Sequence, residues 1–147
     1  MSFIESMKQK AISYGNRLVL PEGTEPRTVK AARKIIDDKI ASRVTLLGSQ
    51  SAVAAVASEA GVSLSGISVV DPASSDLLAG FADAYYEKRK AKGMTPEQAR
   101  IDMAGVLRFG AMMVAKGLAD SMVAGAENTT GDVLRAVVQD ADAWHAL

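Results

Sequence analysis

Cysteine is absent from this 147-residue chain, histidine occurs once, and aromatic residues make up only 5%. Without cysteine there is no disulfide, no thiolate metal site and no cysteine nucleophile. The one histidine, His145, stands near the end of the sequence, which argues against a Ser-His-Asp triad and a histidine-rich metal site. No sign of charge dominates either. The 17 Lys and Arg balance 17 Asp and Glu, so neither a nucleic-acid partner nor a membrane-surface field is expected. No apolar run is long enough to span a bilayer. The opening Met1-Ser-Phe-Ile-Glu-Ser-Met-Lys8 carries an acid and no apolar signal core, so it does not read as a secretion signal, and a cytoplasmic protein is expected. Glycine-rich dinucleotide and P-loop fingerprints are missing, as are internal repeats and low-complexity linkers.

What the chain does contain is alternation. Its length suits one domain with a real core. After an opening helix over residues 3–13, an apolar strand at 17–20 is closed by Pro21. Pro26 suits the first turn of the next helix, in which Val29, Ala32, Ile35 and Ile36 recur at helical spacing. Residues 44–47 form a second strand, and an alanine- and valine-rich helix over 51–60 ends at Gly61, a suitable left-handed cap. A third strand over 67–70 stops at Asp71-Pro72. Residues 74–92 read as a long helix with Leu77, Leu78, Phe81 and Tyr85 on one face and Gly93 as terminator. Thr95-Pro-Glu-Gln98 has the pattern of a capping box and opens a helix to residue 105; another helix covers 109–116, and a fourth strand 121–124. Met103, Met112 and Met113 read as core filler. The expected fold is α/β, a three-layer αβα arrangement around a mostly parallel sheet.

The chemistry concentrates after the fourth strand. Gly125 lets backbone approach a ligand, and Asn128, Thr129 and Thr130 offer donors where a helix begins with unpaired amides. Arg135 adds a guanidinium suited to phosphate. Two readings fit these residues: a phosphate or carboxylate site, or an ordinary capped helix with Arg135 paired to Asp132. In open α/β sheets ligands sit beyond the carboxyl ends of the strands, so the loop after the first strand, Pro21-Glu-Gly-Thr24, should open on the same side. Glu22 and Arg27 there either line the cleft or form an ion pair or cap. Lys88, Lys90 and Lys92 suit the end of the long helix electrostatically. Arg89 differs, because it follows Tyr85 by four residues on the face that packs and can reach toward the cleft.

Four segments resemble one family in the right order. Asp120-Ser-Met-Val-Ala-Gly-Ala-Glu-Asn-Thr-Thr-Gly-Asp-Val-Leu-Arg135 is similar to the signature of the phosphate acetyltransferase and phosphate butyryltransferase family, and Gly110-Ala-Met-Met-Val-Ala-Lys-Gly-Leu-Ala-Asp-Ser-Met-Val123 to its lead-in. Tyr85-Tyr-Glu-Lys-Arg-Lys-Ala-Lys-Gly-Met-Thr95 matches as well. So does Leu18-Val-Leu-Pro-Glu-Gly-Thr-Glu-Pro-Arg27, followed by Val44-Thr-Leu-Leu-Gly48. Together they cover most of residues 17 to 139. The resemblance implies the N-terminal part of such an enzyme, residues 1–139, with a divergent tail at 140–147. It also implies a likeness to the first domain of the isocitrate and isopropylmalate dehydrogenase fold.

In that family an acetyl group moves between phosphate and the thiol of coenzyme A (CoA). The resemblance therefore implies CoA or acetyl-CoA, and phosphate or acetyl phosphate, as ligands, with no tightly bound cofactor and no metal. It assigns CoA binding to Arg89 and Arg135, and phosphate or acyl phosphate binding to Gly125, Asn128, Thr129 and Thr130. The reaction needs a base for the thiol and a cation for the phosphate leaving group. The family's residues for those tasks lie in its C-terminal part, so no catalytic residue is assigned here and the chain alone is expected to be inactive. Two positions depart from the family pattern: Arg108, where an aromatic is frequent, and Glu127, an acid in the anion loop that would oppose binding unless it points outward. The alternatives are a noncatalytic CoA- or phosphate-binding or interaction module derived from the fold, and a dehydrogenase. The latter lacks a metal-binding carboxylate set and a nicotinamide site. Because the family completes this domain with later segments, an open sheet edge and self-association as a homo-oligomer are expected.

Overall fold

The computed structural model describes residues 1–140. Four parallel strands, β1 (Arg17–Leu20), β2 (Arg43–Leu47), β3 (Ser68–Val70) and β4 (Ser121–Met122), form one sheet in the order β3-β2-β1-β4. Helices α1 (Phe3–Tyr14), α2 (Pro26–Asp37), α3 (Gln50–Glu59), α4 (Leu77–Arg89), α5 (Pro96–Met103), α6 (Val106–Ala115) and α7 (Thr130–Leu134) complete it, with a π-helical turn at Arg135–Asp140. The protein is three-layer α/β.

Strand alternation divides the core. On β1, Leu20 faces Val29 and Ala32 of α2 and Val53 and Ala57 of α3, together with Val44 and Leu46 of β2. Val19 and Leu47 face the other way, onto Leu78, Phe81 and Tyr85 of α4, Met103 of α5, and Phe109, Met112 and Met113 of α6. All three methionines read as core filler are buried. The rings of Phe81 and Phe109 meet at a tilt with centroids 4.9 Å apart, a favourable aromatic geometry. Gly110 brings α6 close to the sheet: a Cβ there would sit 3.0 Å from Met122 Sδ and 3.3 Å from Leu47 Cδ1. Outside these layers lies α1, none of whose residues is buried; Lys8 Nζ ties it to Asp38 Oδ2 at 3.1 Å.

Most elements fall where the sequence puts them, and the differences have local causes. The long helix starts only at Leu77, because Asp71 and Ser75 accept bonds from the amides of Ala73 and Leu77 and hold the approach in turns. It gives way at Lys90–Lys92 to a 3-10 turn closed by left-handed Gly93. Thr95 does cap α5, accepting from Gln98 N at 3.1 Å, but the capping box is half made: Gln98 Nε2 donates forward to Asp102 at 2.7 Å. The fourth strand is shorter than expected, since after Val123 N donates to Val19 O the chain turns away at Ala124 and Gly125. Trp144 and His145, with most of the divergent tail, lie outside the described residues.

Candidate functional site

Strand order fixes where a site can form. The chain leaves β1 toward β2 and β3 on one side, and returns through α4, α5 and α6 to lay β4 on the other. At such a reversal the loops beyond the carboxyl ends diverge and leave a crevice. Here the loop after β1 and the loop after β4 face each other across it, the side anticipated from the sequence.

Glu22 bridges the two loops. Gly23 aims it: the Gly23 amide donates to Leu47 O at 3.1 Å, and a Cβ at that position would drive into the same carbonyl oxygen. Only 3% of Glu22 is exposed. Its Oε1 accepts from the amides of Gly125 (2.7 Å) and Ala126 (3.0 Å), and its Oε2 from those of Glu127 (2.5 Å) and Asn128 (2.7 Å). Asn128 Nδ2 adds a fifth donor to Oε2 at 3.1 Å. Four successive amides converging on one anion form a nest, made possible by Gly125, whose φ of +117° few side chains tolerate. Burial alone would raise the Glu22 pKa. The four amides outweigh it and hold the carboxylate at about 2.

Arg27 and Glu25 brace the same junction. Arg27 donates from Nη2 to Ala126 O at 2.7 Å, so the loop's amides and one of its carbonyls are both held by the segment after β1. Glu25 receives Arg27 Nε at 2.7 Å and caps α2 by accepting from Thr28 N at 3.0 Å. Of the two sequence readings, Glu22 lines the crevice, while the ion pair and cap belong to Glu25 and Arg27. The side chain of Glu127 is exposed.

Beyond Asn128 a cavity of about 340 Å³ opens between the start of α6 (Gly105, Val106, Leu107, Arg108) and Asn128, Asp132, Arg135 and Ala136. It brings together Asn128 and Arg135, both singled out from the sequence, with Arg108. Arg135 Nη1 lies 3.3 Å from Asp132 Oδ1 with both side chains about half exposed, a loose pair worth at most about 1 kcal/mol. Thr129 accepts from Asp132 N at 3.2 Å and donates to Asp132 Oδ2 at 2.7 Å, capping α7. Thr130 starts that helix and is exposed. Arg89 does not line this cavity. It ends α4 half-buried, and its Nε is buried with no hydrogen-bond partner among the described residues. No cluster of three or more His, Asp or Glu among the described residues could hold a metal ion.

Residues 2–143 match the model of one protein family, described as phosphate acetyl/butaryl transferase. The chain belongs to that family. It is 48% identical to a phosphate acetyltransferase of Treponema pallidum over 136 residues, 92% of this chain and 40% of the relative. With the phosphate acetyltransferase of Acetivibrio thermocellus it shares 42% over 139 residues, 95% of this chain and 41% of that one. Two solved phosphotransacetylases superpose closely. The Staphylococcus aureus protein gives a TM-score of 0.83 at 33% identity, covering 93% of this chain and 41% of its own. The Streptococcus pyogenes protein gives 0.86 at 29% identity, covering 95% and 43%. The chain thus spans about 40% of the length of these two curated relatives. For a phosphate acetyl/butaryl transferase domain, the feature that sequence reasoning left undecided is the Glu22 clasp, and the only local signal for it was an acid placed between Pro21 and Gly23 at the mouth of the crevice.

Proposed function

We propose that residues 1–139 are the N-terminal portion of a phosphate acetyltransferase, which interconverts acetyl-CoA and phosphate with CoA and acetyl phosphate. The observation that carries this reading is the family match over residues 2–143. Arg135, on the wall of the cavity, and Arg89, with an orphan Nε, hold CoA phosphates. A buried donor without a partner costs about 1–3 kcal/mol, which a ligand phosphate relieves. The Arg135–Asp132 pair is weak enough to exchange for a phosphate, whose bidentate bonds to guanidinium are stronger. Gly125, Asn128, Thr129 and Thr130 border the phosphate or acyl phosphate end of the site.

The chain binds CoA as a substrate and takes part in cytoplasmic acetate metabolism. No helix among the described residues is long and apolar enough to cross a membrane. The thiol base and phosphate-stabilising cation belong to the part of the family that this sequence does not match, so this portion binds without turning over. Self-association belongs to the same reading: among the described residues β4 has a ladder partner only in β1, and Val123 beside it and Leu134 on α7 are more than half exposed. Calorimetric titration with CoA, run beside an acetyl phosphate-dependent thioester assay, tests the proposal. Binding without thioester formation is expected. Absence of CoA binding would overturn the site, and thioester formation above a mock purification would overturn the division of labour.

A further inference from the structure

We propose that Glu22 is a positioning residue for the anion-binding cavity, a built-in anion that fills the amide nest of residues 125–128 and so sets the place of Asn128 and Arg135. The inference rests on the proposed CoA and phosphate site and names a residue that organises it. A loop with four convergent amides is an anion receptor, and in this fold the anion is the protein's own. Both carboxylate oxygens are used and the side chain is buried, so an external phosphate cannot share these amides. Anion recognition therefore moves one step outward, to the cavity that begins at Asn128.

The route from Glu22 to the cavity is short and continuous. Oε2 fixes Asn128 through both its backbone amide and its side chain. The next residue, Thr129, caps α7 through Asp132, and Asp132 meets Arg135 one turn later. Arg27 clamps the same loop from outside through Ala126 O. Loss of the Glu22 charge would leave four amides facing one another with no acceptor, and the loop would turn them to water. Asn128 and the start of α7 would then move, and Arg135 with them.

The test is truncation with chemical rescue. Glu22→Ala removes a CH2–COO⁻ unit, and acetate supplies it. In amide NMR spectra of Glu22→Ala, the signals of residues 125–128 should shift strongly and those of Asp132 and Arg135 should follow. Acetate, but not chloride at equal ionic strength, should return them toward the parent positions while leaving the parent spectrum unchanged. CoA affinity should fall about tenfold or more and recover with acetate. A folded Glu22→Ala whose Asp132 and Arg135 signals match the parent overturns the proposal, and so does a displaced spectrum that acetate does not restore. If the parent itself does not bind CoA, the functional reading fails, and the Asp132 and Arg135 shifts still decide the role of Glu22. If Glu22→Ala does not fold, Glu22→Gln takes its place. Its single acceptor oxygen can serve only one pair of amides, so one half of the nest should shift and CoA affinity should fall partway. Parent-like shifts and affinity in Glu22→Gln overturn the proposal.

Discussion

Replacing Glu22 by Gln should cost stability in a way that depends on pH, and the structure gives the size and the sign. The carboxylate has an ordinary pKa of 4.5 and is held at about 2 in the folded protein. At about 1.4 kcal/mol per pKa unit, that drop corresponds to about 3 kcal/mol in favour of the folded state. Because the folded pKa is the lower one, the contribution is fully present above pH 4.5. It fades as pH falls from there and is lost once pH passes about 2, where Glu22 is protonated in both states. Arg27, whose charge also acts on Glu22, holds that charge throughout this range and is engaged with Glu25. Glutamine has the shape of the protonated acid but one acceptor oxygen, so at neutral pH it leaves part of the nest unsatisfied. Urea denaturation of parent and Glu22→Gln at pH 7, 4.5, 3 and 2.5 reads the difference directly. The parent should be more stable by about 3 kcal/mol at pH 7, and the gap should narrow steadily below pH 4.5. Asp120, also held at about 2 by Arg17, titrates in both proteins and cancels from the comparison. A gap that stays constant between pH 7 and 2.5, or that is absent at pH 7, would refute the assignment of Glu22 as a charged clasp.

Four other outcomes are expected. Arg135→Ala and Arg89→Ala should each weaken CoA binding by about 1.5–3 kcal/mol in calorimetry, with little change in melting temperature; unchanged affinity removes that arginine from the site. Gly23→Ala forces a methyl into the Leu47 carbonyl and should destabilise by about 1–3 kcal/mol in chemical denaturation, with the Glu22 clasp disturbed alongside. Asp120→Asn breaks the fork with Arg17, whose Nε and Nη2 lie 3.0 and 2.9 Å from the carboxylate, so it should loosen the start of β4; its stability loss should shrink in acid, since the Asp120 pKa is depressed by that same arginine. Sedimentation at micromolar concentration should show self-association, and a clean monomer would mean that the β4 edge and the apolar residues beside it need no cover.

The parts of this fold that were legible in the sequence are those decided by neighbours in the chain. Arg17–Leu20 is a strand because Leu18, Val19 and Leu20 carry the apolar signal and Pro21 stops it. The start of α2 follows from Pro26, and the ends at Gly61 and Gly93 follow from left-handed glycines. The boundaries that moved did so through single hydrogen bonds that periodicity does not register, such as those from Ala73 to Asp71 and from Leu77 to Ser75. Local signals also found the loop at Gly125 to Thr130, and the capped-helix reading holds for Thr129, Asp132 and Arg135.

Glu22 shows why the remainder was hidden. Its partners lie 103 to 106 residues away, and nothing in Pro21-Glu-Gly23 says which distant amides it meets. The sequence places backbone and side-chain donors at Gly125 to Thr130, beyond the carboxyl end of the fourth strand. The sequence leaves a phosphate or carboxylate site and a capped helix both open there, whereas in the fold the buried carboxylate of Glu22, in the loop after β1, is already positioned and loses no association entropy. An external phosphate would have to displace the Glu22 carboxylate from five donors to claim the same amides. Charge is offered without that displacement at the loosely paired Arg135 on the cavity wall, which is why the proposed phosphate contact lies there. The clasp thus separates two tasks that look alike in sequence: holding the loop, which falls to Glu22, and meeting the ligand, which the proposed site gives to the guanidinium groups beyond it.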